Sequence, residues 1–347
     1  MMLTVFSRLG ASTWIICAII LALTILLPAT LDLFTILQLT VFVVMGVLAL
    51  SLALSWGLGG ILCFGQAAFF GLGGYTYAIA VINFGESTLP VLLAIVVPAL
   101  FALVLGWFMF MGRLSELYVG VITLCVSLIF YNFINSTSDP WYRIGKAQIN
   151  GFNGMSAVPT LNIPFSPDTW LTPNQMFVLV MVSLLLVYLM CKLVAASSWG
   201  RVVAATRQNE ARAELLGYDT ARVKLGIFVL GSAVAGYAGC LFTNWNAFIS
   251  PNVFSLSMSA QIIIWMIVGG RETFIGPVIG AIALQYLTTR LGNSSLNANV
   301  ALGAILMLFV VLVPRGLVPT IGQFASRWWS SRRNGASPPV AAKGEAV

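Results

Sequence analysis

Histidine is absent from the 347 residues, so the commonest metal ligand and the commonest general acid–base are both missing. Charge is scarce as well, at 8% against roughly 25% for an ordinary soluble domain. The five cysteines (Cys17, Cys63, Cys125, Cys191 and Cys240) stand singly inside apolar runs, with no CxxC pair. Neither a zinc site nor a redox motif is supported, and the cysteines read as small hydrophobes. No GxxxxGK[ST] phosphate loop exists, because Gly145-Lys146 lacks both the upstream glycine and the following hydroxyl. Carboxylates are absent from mid-span positions: Asp32, Glu86, Glu116, Asp139, Asp168 and Glu272 fall at span ends or in loops. That removes the acid pair of an intramembrane hydrolase and the buried ionisable residue expected of an ion-coupled carrier.

Apolar sequence is what the chain has in abundance: 59% hydrophobic residues and a mean hydropathy of +0.97. So little polar surface cannot cover a sphere in water, so lipid is the expected solvent. A spanning helix needs about 20 mostly apolar residues. Ten candidates meet that length, at Ala11–Leu31, Phe34–Trp56, Ile61–Ile82, Thr88–Met111, Leu114–Asn135, Asn174–Ala195, Val223–Trp245, Asn252–Gly270, Thr273–Leu291 and Leu296–Val313. The third, rich in glycine (Gly65, Gly71, Gly73, Gly74), suits either a full span or a broken, re-entrant segment buried in protein. The first run follows Arg8 as a signal peptide would, but it is long and lacks a small-x-small cleavage site, which favours a retained anchor.

The formal charge of +7 is read against this topology rather than as a nucleic-acid footprint. With the N-terminus inside, the spans alternate so that only Arg143, Lys146 and Arg290 of the seventeen basic residues face outward. That is the asymmetry of the positive-inside rule, and it puts both termini in the cytoplasm. The fold class is therefore an all-α polytopic membrane protein of about ten transmembrane or re-entrant helices. Residues 1–325 form the permease-like domain, with an outer loop at 136–173 and a cytoplasmic segment at 196–222. Residues 326–347 hold a basic, tryptophan-bearing anchor and a tail of disordered composition.

Small residues recur at helix-packing spacing: Gly231, Ala235 and Gly239 in one span, Gly276 and Gly280 in another. They let backbones approach where no hydrophobic drive operates. In the cytoplasmic segment, Arg201–Leu216 reads as one helix. Arg207 and Glu210 would be paired at i, i+3, Gly217 would be the left-handed closing residue, and Asp219 the N-cap of the next span. On physics alone, a rigid force-bearing element and a solvated basic loop are equally consistent with that segment.

Several stretches resemble the branched-chain amino-acid ABC importer permeases, in the right order along most of the chain. They are Gly65-Gln66-Ala67-Ala68-Phe69 with Gly73-Gly74-Tyr75, and Asn150-Gly151-Phe152-Asn153-Gly154. Further on come Ser198-Trp199-Gly200-Arg201, Arg207-Gln208-Asn209-Glu210 through Asp219, Gly269-Gly270-Arg271-Glu272-Thr273 with Gly276-Pro277, and Pro314-Arg315-Gly316-Leu317. The M-type subunit of that family is the nearest pattern, and Glu272 stands where glycine is common. The resemblance implies a bacterial inner-membrane complex with a homologous H-type permease, two cytoplasmic ABC ATPase subunits and a periplasmic substrate-binding protein. Mg-ATP would then sit on the ATPases, with no cofactor and no catalytic residue in this chain. It also implies that Arg201, Arg207, Glu210, Arg212, Glu214 and Gly217 belong to an ATPase-coupling helix. Gln66 and Tyr77 share one helix face, being eleven residues apart; that face borders either the translocation path or a polar helix–helix contact. Tyr131, Asn132, Asn244 and Asn246 are further path candidates near the outer end. Branched-chain or other small amino acids or amides are the expected cargo. Alternatives are urea in the same family, or a passive channel or carrier of another class.

Overall fold

The computed structural model describes residues 10–139, 141–163 and 166–292, together with the single positions 303, 316 and 320. Apart from position 303, the expected tenth span, Leu296–Val313, lies outside the described residues, as does the tail from 326 onward. Eleven α-helices order the rest: α1 (Ala11–Thr30), α2 (Leu33–Leu52), α3 (Gln66–Phe84), α4 (Thr88–Met111), α5 (Glu116–Ser136), α6 (Pro173–Ala196), α7 (Ser198–Gln208), α8 (Glu210–Leu215), α9 (Thr220–Asn246), α10 (Leu256–Gly269) and α11 (Ile275–Gly292). Seven helical stretches among the described residues are long and apolar enough to cross a membrane: α1, α2 with its extension, α3, α4, α5, α6 and α9. The all-α polytopic expectation holds. Among the described residues, strand is confined to two short hairpins in the 136–173 loop, β1 (Arg143–Ile144) with β2 (Ala147–Gln148) and β3 (Asn162–Ile163) with β4 (Ser166–Trp170).

Two expected spans are altered. The third does not begin at Ile61. Instead α2 runs on as a π-helical segment, Ala53–Leu58, and α3 starts at Gln66. The residues between are irregular yet largely buried, which lipid tolerates only where protein surrounds the backbone. The eighth, expected as Asn252–Gly270, breaks at Ser255: a 3-10 turn at Pro251–Phe254 leads into the 14-residue α10. Pro251 fits the first turn of the short helix, and the Ser255 side chain caps α10 by accepting from the Met258 amide. The turn drives Phe254 between α3 and α5. Its ring stacks on Tyr75 at 5.6 Å, and its carbonyl accepts from Ser127 Oγ at 2.9 Å.

The helices form two shells. Two-thirds of α2, α3 and α9 is buried, against roughly a quarter of α1, α4 and α5, whose Ile25, Val104, Phe108, Leu117 and Ile129 are exposed. Large apolar residues on an outer face match a lipid surround. The inner contacts depend on small residues. A Cβ on Gly239 would run into the Phe70 carbonyl, one on Gly73 into the Gly236 backbone, and one on Gly231 into Ser55. Ala235 is fully buried in the same ladder. Gly276 and Gly280 likewise press α11 onto the Gly269 and Trp265 backbones of α10. All five of these small residues lie at close helix crossings.

Helix α4 shows how the two ends are organised. Its start is tied to the 136–173 loop, where Ser87 N donates to Asn162 Oδ1 at 3.1 Å. Just past its end, Arg113 pairs with Glu214. Twenty-four residues, or about 36 Å, separate the two connections. The loop thus lies at one end of the bundle and α7–α8 at the other, as alternating spans require. Loop residues Ala147, Ile149, Met155, Val158 and Leu161 are buried against the bundle, and Met155 bridges to Ile249 in the α9–α10 connection.

Candidate functional site

The segment after α6 is built as a rigid bracket. Ser197 ends α6 and caps α7, its hydroxyl donating to the Val194 carbonyl at 2.6 Å and accepting from the Gly200 amide at 2.9 Å. A Cβ on Gly200 would strike the Val194 carbonyl, so this tight corner needs glycine. The expected single helix from Arg201 to Leu216 is instead two. Asn209 is extended (φ −159°, ψ 103°) and its Oδ1 caps α8 by accepting from the Arg212 amide at 2.9 Å. Asparagine offers the backbone this local alternative to helix.

The break undoes the expected Arg207–Glu210 pair. Arg207 Nη1 donates to the Gly57 carbonyl in the π segment, while Glu210 accepts from Lys224 Nζ on α9 at 2.6 Å. Glu214 accepts from Thr220 at 3.0 Å and faces Arg113 at 3.8 Å. Arg201 Nη1 turns back onto the Ala196 carbonyl at 3.3 Å. The closing signals are as expected. Gly217 is left-handed (φ +87°), and the paired bonds Tyr218 N to Ala213 O and Gly217 N to Glu214 O form a Schellman cap. Asp219 caps α9 by accepting from the Arg222 amide at 3.1 Å.

Held this way, α8 presents Leu215 and Leu216 outward at 87% and 76% exposure. Beside them opens a groove of about 800 Å³ that includes Arg113, Leu114, Glu210, Glu214, Tyr218 and Lys224 in its walls. Sequence reasoning singled out the charges and overlooked this leucine pair. The signal available was two adjacent apolar residues closing an otherwise polar helix.

The polar candidates of the interior separate into three groups. Gln66, 1% exposed, joins three helices: its Nε2 donates to Ser51 Oγ at 2.8 Å and to the Gly231 carbonyl at 3.3 Å. Its Oε1 has no partner among the described residues. Tyr77 and Asn244 face each other near the loop end, where the Tyr77 hydroxyl donates to the Pro159 carbonyl at 3.3 Å. Asn244 Nδ2 donates to the Cys240 carbonyl at 2.9 Å, its Oδ1 is unpartnered among the described residues, and it lines a cavity of about 100 Å³ with Trp245, Thr160 and Met176. Asn132 and Asn246 are exposed and Tyr131 is half-buried. Gln66 and Tyr77 therefore share a face of α3 but meet different neighbours, about 16 Å apart along the axis.

Comparison with known proteins fits this architecture. The family described as branched-chain amino acid transport system / permease component matches residues 34–313. The high-affinity branched-chain amino acid transport system permease protein LivM of Salmonella typhimurium is 28% identical over 301 residues, covering 79% of this chain and 67% of the relative. The probable branched-chain amino acid transport permease protein LivM of Methanocaldococcus jannaschii is 23% identical over 323 residues, covering 79% of this chain and 90% of the relative. The autoinducer 2 import system permease protein LsrC of Salmonella choleraesuis is 34% identical over 113 residues, covering 32% of each chain. No solved structure matches significantly. The match over residues 34–313, which takes in every inner-shell helix and the α7–α8 bracket, shows that the chain belongs to the permease components of branched-chain amino acid transport systems and is LivM-like within them.

Proposed function

We propose that this chain is one half of the membrane pore of an ATP-driven importer, passing branched-chain or other small amino acids or amides that a periplasmic binding protein delivers. The observation that carries the reading is the α7–α8 bracket. The two helices are tied to three other elements, α7 through Arg207 and α8 through Glu210–Lys224 and Glu214–Arg113, and the end of α8 presents two bare leucines beside an open groove. A solvated loop needs none of those ties, whereas an element that receives force from a cytoplasmic ATPase needs them all. The proposed partners are a homologous permease, two ATPase subunits carrying Mg-ATP and the binding protein. Closure of the ATPases around nucleotide would switch the permease pair between two packings. The relatives' names supply the cargo class; among the described residues the interior offers hydrogen-bonding groups and no fully buried charged residue, in keeping with net-neutral solutes.

The test is uptake by the assembled complex in proteoliposomes, with leucine, phenylalanine, urea and short amides compared. Uptake is expected to require internal ATP and the binding protein together. Equal uptake without either would replace the importer reading with a carrier or channel.

A further inference from the structure

Between α2 and α3 the chain leaves helical geometry in the middle of its most buried region. The π segment Ala53–Leu58 ends in a run flanked by Gly59, Gly60 (φ +75°) and Gly65. A π turn inside an α-helix and an unwound glycine-rich stretch are both features that functional pivots favour. Four other helices meet here. Gly59 lies against Ile227 of α9, Gly65 N donates to Thr123 Oγ1 of α5 at 3.3 Å, and a Cβ on Gly57 would sit 3.1 Å from Met266 Cε of α10 and 3.2 Å from the Arg271 carbonyl. The fourth is α7. Arg207 lays its Cγ where a Gly60 Cβ would be, at 2.8 Å, and gives its guanidinium to the Gly57 carbonyl. That carbonyl stands where a helix end leaves its acceptors without intrahelical partners.

The far side of the pivot is Gln66, the first residue of α3. Its amide nitrogen is doubly engaged with Ser51 and Gly231, while its buried Oε1 lacks a partner among the described residues. A buried acceptor left open costs free energy, so this junction is held short of its full hydrogen-bonding capacity. One side of the pivot is therefore tied to the surface bracket, and the other holds an unspent polar contact at the junction of α2, α3 and α9.

We propose that Arg207 is a positioning residue acting inside this chain: it carries displacement of α7 to the unwound 59–65 segment and so resets the Gln66 junction. This inference rests on the importer reading for the source of the displacement, but the tie itself is a property of the chain alone. Arg207 remains exposed on its outer side, so it can be pushed from the surface while its head group holds the pivot.

Cys63 provides a native reporter, since it lies within the unwound segment and is fully buried. Cys125 is the one exposed cysteine and is replaced by alanine, while Cys17, Cys191 and Cys240 are buried. N-ethylmaleimide labelling of Cys63 is followed in the assembled complex, at rest and during ATP-driven turnover. At rest, Arg207→Gln is expected to raise the Cys63 rate about tenfold, the scale of one lost charge-assisted hydrogen bond. Gly60→Ala, which pushes the Arg207 stem away, should do the same. Labelling of Cys191 and Cys240 should stay slow, which separates a loosened pivot from a misfolded chain. During turnover, ATP should accelerate Cys63 labelling in the parent but not in Arg207→Gln. Uptake in that variant should fall about tenfold with the ATPase subunits still bound, and Arg207→Lys should recover part of both. Unchanged resting rates in both Arg207→Gln and Gly60→Ala would overturn the inference whatever drives transport. Loss of the ATPase subunits in Arg207→Gln would make Arg207 a docking contact instead and overturn it too. A parent whose labelling and uptake ignore ATP would sink the importer reading, leaving the resting rates to decide the tie.

Discussion

Gly239 shows how much of this protein is decided by single atoms. Its missing side chain lets α9 approach the Phe70 carbonyl of α3 and the Gly74 amide. Gly239→Val would force the helices apart or leave the carbonyl tilted, and overpacking of this kind costs about 1–3 kcal/mol. The expected outcome is a clearly lower unfolding temperature for the detergent-purified protein, and an unchanged one would mean the crossing is looser than its geometry. The Glu210–Lys224 pair is a second residue-scale case. Lys224 is mostly buried along its side chain and Glu210 is about half exposed, so the pair is worth only about 0.2–1 kcal/mol of stability. Its weight is in orientation. Glu210→Lys should cut uptake by swinging α8 away from α9, and Glu210→Lys combined with Lys224→Glu should restore most of it. Failure of the double reversal would assign Glu210 to a partner surface rather than to this bracket.

At the scale of elements, α8 and the 136–173 loop play opposite parts. Helix α8 is six residues long, too short to persist alone in water. It exists because Asn209 starts it, Gly217 ends it and its neighbours hold it. Leu215→Asp leaves all of those intact while charging the outward face. Membrane insertion should be normal and co-purification of the ATPase subunits weak; retained co-purification would remove α8 from the docking surface. The loop is fixed by a different device, the exchange between Ser87 and Asn162. Asn162→Ala keeps the two bonds of its backbone but forfeits those that Oδ1 accepts from the Ser87 amide and hydroxyl, worth about 1–3 kcal/mol when a buried partner is left open. Limited proteolysis should then cut within 141–172 much faster than in the parent. Equal rates would show that buried Met155, Val158 and Leu161 hold the loop unaided.

At the scale of the molecule, the two ends of the bundle must face different compartments. In a Cys125→Ala background, a cysteine at Trp141, which is 90% exposed on the loop, should react with an impermeant maleimide on intact cells. A cysteine at Leu215 should react only after the membrane is opened. Reaction of both from one side would contradict the arrangement in which α4 separates the Ser87–Asn162 tie from the Arg113–Glu214 pair. The whole-molecule view also explains why small residues concentrate in α3, α9 and α11, while bulky apolar ones cover α1, α4 and α5. Inner helices gain stability from close backbone packing, and outer ones need only match lipid.

Composition and the period of apolar residues by themselves determined that the chain crosses a membrane many times. Those properties are sums over twenty-residue windows and survive any local detail. The capping signals at Gly217 and Asp219 were equally legible, because a left-handed glycine or a capping carboxylate acts on its immediate neighbours. The gly-xxx-gly spacings marked helix crossings without naming the partner. What only the tertiary structure decided depends on residues far apart in sequence. Arg207 had a plausible local partner in Glu210, yet the bend at Asn209 sent it 150 positions back to Gly57, and Glu210 to Lys224. Gln66 and Tyr77 shared a helix face by arithmetic, but the bundle gave one a junction with Ser51 and Gly231 and the other a contact with Pro159 and Asn244. A charged or amide side chain in a low-dielectric interior takes whichever acceptor the packing brings within reach, and that choice is fixed only when the helices have met.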